Sequence, residues 1–268
     1  MTEQNNEAVQ ETLDMAIAAR QAEGAQPQEE ALEEEADDAE EATVEEEKSL
    51  IRRAALATRQ ELSPAARSSH SRDICNQLVD WLRGLELKGR GGEAPTVAVY
   101  ASMRTEVDLD RFIRGVYAFG YRIVFPCMVP QGGTMCMRAV SCPYYLSGSA
   151  PFVIDPLKPW GPTVSEEQRL PTGTHRRFIP SRTKSTVPPK DDLRFPVVPP
   201  EEIDAIVVPM VAFDDAGGRL GSGNGVYDRY LPHLRRDCAV AGVAFAEQRV
   251  EAVPQGKHDI VMPKVISA

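Results

Sequence analysis

Cysteine is scarce and unpatterned in this chain. Its five residues, Cys75, Cys127, Cys136, Cys142 and Cys238, are odd in number and contain no C-x-x-C pair. A disulfide framework and the common zinc-ligand spacings are thereby excluded, and incidental thiols of a reducing compartment are expected. No run approaches the ~18 consecutive apolar residues of a membrane span. The N-terminus has neither the basic start nor the apolar stretch of a secretory signal. No membrane partner is expected, and the cytoplasm is the expected location. Internal repeats are absent, and so are the G-x-x-x-x-G-K-[ST] and G-x-G-x-x-G nucleotide spacings.

Positive charge is nearly missing from one part of the chain. Residues 1–47 hold 17 Asp and Glu against a single basic residue, Arg20, whereas the remainder carries about six more basic than acidic residues. An acidic segment this poor in apolar groups cannot offset its ordering entropy by burial. It is expected to be a disordered, solvated tail; an interaction segment for an unidentified partner is the alternative. The mildly basic remainder suits an anionic ligand, and its charge is too weak and scattered for nucleic acid.

Order is expected from Lys48, where Leu50, Ile51, Ala54, Ala55 and Leu56 keep a helical spacing. Ser63-Pro64 reads as a cap and first helical residue, opening a second helix to about Leu87 with Ile74, Leu78, Trp81 and Leu82 on one face. Thr96–Tyr100 and Tyr121–Phe125, the latter closed by Pro126, read as buried strands around a helix from Asp108 to Gly120. That order is a βαβ unit and implies a parallel sheet. Met135–Val140, Ala205–Pro209 and Ala239–Phe245 read as further strands, and Tyr227–Arg236 as a helix. Residues 161–200, rich in proline, read as a long surface excursion. The expected fold is α/β: one domain over 48–268, a three-layer open, mostly parallel sheet flanked by helices.

The segment Asp204 to Arg229, DAIVVPMVAFDDAGGRLGSGNGVYDR, carries the most chemistry. A hydrophobic strand runs into a loop with Gly217, Gly218, Gly221, Gly223 and Gly225, and a helix follows. Glycines let backbone N–H groups approach an anion, a helix start adds positive potential, and Arg219 can hold phosphate bidentately. On the residues alone a plain tight turn is an equal reading.

VAFDDAGGRLGSGNGVYDRYL resembles the signature of the 5-formyltetrahydrofolate cyclo-ligase (methenyltetrahydrofolate synthetase) family. Three further segments resemble it in order. They are Lys48-Ser49-Leu50-Ile51-Arg52 with Arg59 and Leu62-Ser63; Val99 through Asp108; and Val243 through Val250 with Val253-Pro254 and His258-Asp259. The resemblance spans about 48–268 apart from the excursion.

It implies an enzyme that uses ATP and Mg²⁺ to convert 5-formyltetrahydrofolate into 5,10-methenyltetrahydrofolate, releasing ADP and phosphate. Phosphorylation would turn the formyl oxygen into a leaving group, a step that needs positioning and charge neutralisation more than a side-chain nucleophile. By the resemblance, Lys48, Arg52, Arg219, Gly221, Gly223, Gly225 and Tyr227 bind ATP. Ala101, Glu106, Ser222 and Val226 contact the folate, and Asp228 and Asp259 bind Mg²⁺. Two carboxylates with phosphate oxygens and water suit the octahedral demand of that ion.

The chain departs from the family pattern at several places. Ser222 and Asn224 stand where basic residues are frequent, Val226 replaces the first tyrosine of the usual pair, and Cys127 follows the strand-ending proline. These changes motivate a second reading, a weak or inactive folate- or nucleotide-binding relative with a regulatory role. A different enzyme on a similar scaffold, such as a sugar-phosphate isomerase, is a third.

Overall fold

The computed structural model describes residues 41–129, 135–160 and 192–268. Helix α1 is present from residue 41 to 61, so regular structure begins upstream of Lys48. The rest of the acidic tail, and residues 161–191 of the expected excursion, lie outside the described residues.

Helix α2 (Pro64–Gly84) starts as its sequence dictates: Pro64 opens the first turn and the Ser63 hydroxyl accepts from Ala66 N at 3.1 Å. Its buried stripe, Ile74, Cys75, Leu78 and Leu82, faces the sheet. Strand β1 (Thr96–Ala98), helix α3 (Asp110–Ala118) and strand β2 (Arg122–Met128) form the expected βαβ unit, with Thr96 beside Arg122 in parallel register. Strand β2 does not close at Pro126 but runs on to Met128. Strand β1 ends at Ala98, opposite Val124, so the missing proline N–H costs no ladder bond on that side. Strand β3 (Met135–Val140) returns antiparallel to β2 and places Cys136 directly opposite Cys127.

Two short helices, α4 (Cys142–Leu146) and α5 (Pro151–Ile154), follow. Where the sequence suggested only excursion, Phe195 is fully buried and β4 (Val197–Val198) pairs with β3. Strands β5 (Ala205–Pro209), β8 (Ala239–Ala244) and β9 (Val265–Ser267) complete a seven-stranded sheet of order β4-β3-β2-β1-β5-β8-β9. It is parallel except at the β2–β3 and β3–β4 pairs. One face packs Ile74, Leu78, Phe112, Val116 and Phe125; the other packs Val124, Ile206, Val208, Met210 and Tyr230. These are the three layers expected.

The glycine-rich segment is more built than a loop. Strands β6 (Ala212–Phe213) and β7 (Arg219–Leu220) form a hairpin, so Gly217 and Gly218 belong to its turn and Gly221–Gly225 to a second turn. Helix α6 (Val226–Tyr230) is only five residues long and passes into a 3-10 turn at Leu231–His233 around Pro232. The expected helix to Arg236 is thus cut short, and a macrodipole of any size at its start is lost with it.

Candidate active site

Helix α1 sets the site's long edge. Lys48, Arg52, Ala55 and Arg59 recur at intervals of four, three and four and share one face, on which Lys48, Ala55 and Arg59 are buried. The glycine turn lies against its first half. Arg52 Nε donates to Gly221 O at 3.0 Å, and its guanidinium lies over Gly223, where an added Cβ would meet it at an ordinary contact distance of 3.5 Å. Gly223 has φ +97°, a conformation other residues rarely adopt, so the backbone shape favours glycine there. Gly225, at φ +58°, repeats the left-handed geometry at the start of α6.

Two ion pairs bring the remaining charges together. Lys48 Nζ bonds Asp259 Oδ2, which also accepts from Gly256 N at 2.6 Å. Arg219 Nη2 bonds Asp228 Oδ1 at 2.5 Å, and Ile260 N points to the same oxygen at 3.4 Å. Asp259 and Ile260 are neighbours, so both pairs belong to one cluster. The Arg219 side chain is only 3% exposed, and its Nε is buried without a hydrogen-bond partner. A buried donor left unmet is costly to the fold.

The cluster's scaffold uses residues the sequence reading did not single out. Asp214 Oδ1 accepts from Ala216 N at 3.0 Å and Gly218 N at 2.7 Å, while Oδ2 accepts from Val253 N at 2.8 Å. One carboxylate thereby holds the hairpin turn to the C-terminal segment. Gln248, fully buried, donates to Met210 O and Val211 O at 3.0 and 2.7 Å and accepts from Phe245 N at 3.0 Å, tying the end of β5 to that of β8. Both residues fall inside the matched signatures, and a short acceptor side chain three residues before a Gly-Gly turn was the available signal for Asp214.

The other end of the site is a polar pocket at the β1–α3 turn. Glu106 Oε2 accepts from Met103 N at 2.9 Å, and Ala101 is buried in the same turn. Burial pushes the Glu106 carboxyl above its ordinary range, against the opposing pull of the Met103 N–H and of Arg59. Tyr100 and Tyr227 stand near enough to feel Glu106, and burial pushes both phenols well up. Tyr227 is also influenced by Arg219, which makes it the side chain common to both ends. A cleft of about 510 Å³ opens beside Glu106, with Arg67, Arg104 and Arg111 in its walls together with Asp108 and Asp110.

Lys48, Arg52, Arg219, Gly221, Gly223, Asp228 and Asp259 are therefore joined by direct contacts. Ser222 is exposed on the turn, and Val226 packs with the second face of the core. No side-chain hydrogen bond or ion pair ties Ala101, Ser222 or Val226 to the ion-pair cluster among the described residues.

The model of the 5-formyltetrahydrofolate cyclo-ligase family matches residues 44–268. This chain belongs to that family. A 5-formyltetrahydrofolate cyclo-ligase of Mycolicibacterium smegmatis is 26% identical over 223 residues, covering 82% of this chain and 93% of the relative. One from Escherichia coli K12 is 29% identical over 175 residues, 65% of this chain and 78% of the relative. Among solved structures, a 5,10-methenyltetrahydrofolate synthetase from Mycoplasma pneumoniae aligns at a TM-score of 0.53 and 21% identity, over 82% of this chain and 97% of that one. The likeness confirms the shared fold. No helix among the described residues is long and apolar enough to cross a membrane.

Proposed function

We propose that this member of the cyclo-ligase family closes the ring of 5-formyltetrahydrofolate to give 5,10-methenyltetrahydrofolate, with ATP as phosphoryl donor. The observation that carries the reading is the single cluster formed by Lys48, Arg52, Arg219 and the Gly221–Gly225 turn. It gathers three cations beside a turn whose Gly223 and Gly225 have positive φ, the combination of charge and open backbone that anion binding uses.

In this reading Lys48, Arg52 and Arg219 hold the triphosphate, and Gly221, Gly223 and Gly225 let it approach the backbone. The guanidinium of Arg219, now paired with Asp228, is the group assigned to a phosphate oxygen. The formyl oxygen attacks the γ-phosphorus as ADP departs, and the folate N10 then bonds to the activated carbon as phosphate leaves. Holding both partners in line converts an encounter into a first-order step, which is the main contribution expected of the protein. Glu106 accepts from the pterin's amino and ring N–H groups, and Tyr227 sits between pterin and phosphate. The walls with Arg67, Arg104 and Arg111 suit the carboxylates of the folate's glutamate. Ala101, Ser222 and Val226 are assigned to the folate side on the family pattern.

Mg²⁺ fits the donor set. Asp228 accepts hydrogen bonds at Oδ1 and Asp259 at Oδ2, and each carboxylate has a second hard oxygen of the kind Mg²⁺ takes. When bound, the ion neutralises charge on the phosphates; the side chains' own part is to release Lys48 and Arg219 from these carboxylates toward the nucleotide. The rest of the reading is a cytoplasmic enzyme on a 48–268 domain, with an acidic extension that chemistry does not need.

The test is the appearance of the methenyl absorbance with purified protein, ATP, Mg²⁺ and 5-formyltetrahydrofolate, beside Arg219→Ala and Asp228→Asn. Turnover in the wild type that both substitutions abolish supports the reading. Calorimetric folate binding without any ATP consumption would favour the binding-protein alternative, which Ser222, Asn224 and Val226 motivate.

A further inference from the structure

Arg59 is the third cation on the working face of α1, seven residues beyond Arg52, and no role has yet been given to it. Two helical turns set it about 10 Å further along the axis, away from the phosphate cluster and toward the Glu106 pocket. It is 6% exposed, yet its Nε is buried without a hydrogen-bond partner. The anionic group acting on it is Glu106, and no ion pair closes between the two among the described residues. Burial disfavours its charged form, and Glu106 offsets this only in part. A buried guanidinium kept for structure would be closed onto a carboxylate or carbonyls, because an unmatched charge of this kind destabilises the fold. An acceptor and a donor whose opposite charges act on one another without an ion pair instead suit a ligand edge that is donor on one side and acceptor on the other.

The edge of a 2-amino-4-oxopteridine has that sequence: an amino N–H, a ring N–H, then a carbonyl oxygen. A carboxylate that takes the first two leaves the third in need of a donor. We propose that Arg59 is a folate-binding residue that donates to the pterin 4-oxo group beside Glu106, and that it selects 4-oxo over 4-amino pteridines. A 4-amino group would turn a second donor toward the guanidinium and leave both unmatched, which is the strongest form of discrimination a polar pocket has. The inference rests on the proposed folate reaction, since it names the ligand group for that same pocket.

The test is calorimetric binding of 5-formyltetrahydrofolate and of a 2,4-diaminopteridine folate analogue to the full chain, in wild type, Arg59→Met and Arg59→Lys, with thermal melts of each protein without ligand. Wild type is expected to prefer the 4-oxo ligand. Arg59→Met should weaken that ligand by about 10- to 100-fold and change the 4-amino analogue by less than about 3-fold. Its unliganded melting temperature should equal or exceed that of wild type, because an unmatched buried charge has been removed. Arg59→Lys keeps the charge and loses the fork, so it should fold and show a reduced preference. A variant that melts lower while keeping the wild-type preference, or equal losses for both ligands, assigns Arg59 a structural part and overturns the inference. A wild type that binds both pteridines alike overturns it alone, whereas a wild type that binds neither overturns the parent reading with it.

Discussion

The two ends of the site handle charge in opposite ways. At the end proposed to hold phosphate, cations and carboxylates neutralise one another: Lys48 with Asp259, Arg219 with Asp228. At the end proposed to hold the pterin, Arg59 and Glu106 stay apart, each partly desolvated and neither closed on the other. Self-paired charges can be released toward a ligand of either sign, which suits a nucleotide arriving with a metal. Unjoined charges cost stability in the empty protein and are satisfied by one ligand shape, which suits recognition of a fixed heterocycle. Substitutions should therefore lose stability and activity together at the first end, and exchange one for the other at the second.

The largest effect is expected for Arg219→Ala. It removes a charge from the phosphate site and leaves Asp228 without its partner. Turnover should fall about 100- to 1,000-fold, and the melting temperature should fall as well; steady-state kinetics with a melt checks both. A variant that lost activity while gaining stability would erase the contrast between the ends.

Asp214→Ala comes next. It strands the three N–H groups of Ala216, Gly218 and Val253, and should cost about 2–4 kcal/mol in denaturant unfolding. Its functional loss should appear in the KM for ATP, because the hairpin it holds carries Arg219, and leave pteridine affinity nearly unchanged.

Glu106→Gln probes the other end. Folate affinity should weaken about 10- to 100-fold, with no loss of stability near neutral pH. The pH dependence has a definite sign. Burial raises the Glu106 carboxyl above its ordinary 4.5, so the folded state holds that proton more tightly than the unfolded one. Its stabilising contribution is complete below 4.5 and is lost as pH rises through the raised value. Melts of wild type and Glu106→Gln should thus show the wild type's relative advantage at acid pH, shrinking toward neutrality.

The smallest effect is expected at the exposed turn. Ser222→Lys and Asn224→Lys restore cations near the triphosphate, and each should lower the KM for ATP by about 2- to 5-fold without altering folate affinity. A larger gain would mean that the self-paired cluster is short of positive charge.

Much of this arrangement was legible in the sequence. The TVAVY and AIVVP runs announced β1 and β5, because continuous β-branched stretches are what doubly covered parallel strands require. Lys48 and Arg52 were readable as one helical face from spacing alone, and four collinear segments carried the family. Partners at long sequence separation were not legible. Nothing local to Asp214 says that it will accept from Val253, or to Gln248 that it will span Met210 and Phe245. Strand β4 and the burial of Phe195 were hidden by proline-rich flanks that read as loop. Arg59 of the opening motif carries no local sign of a role, since only its burial and its unmet Nε distinguish it from a solvated arginine.

The central claim is that one site joins a triphosphate to a formylated folate. Its most direct test is a matrix of methenyl-absorbance measurements in which 5-formyltetrahydrofolate, ATP and Mg²⁺ are omitted in turn. The account predicts product only when all three are present, with ADP and phosphate formed in equal amount to it. Product without ATP, or no product above a heat-killed control with all three supplied, would contradict it.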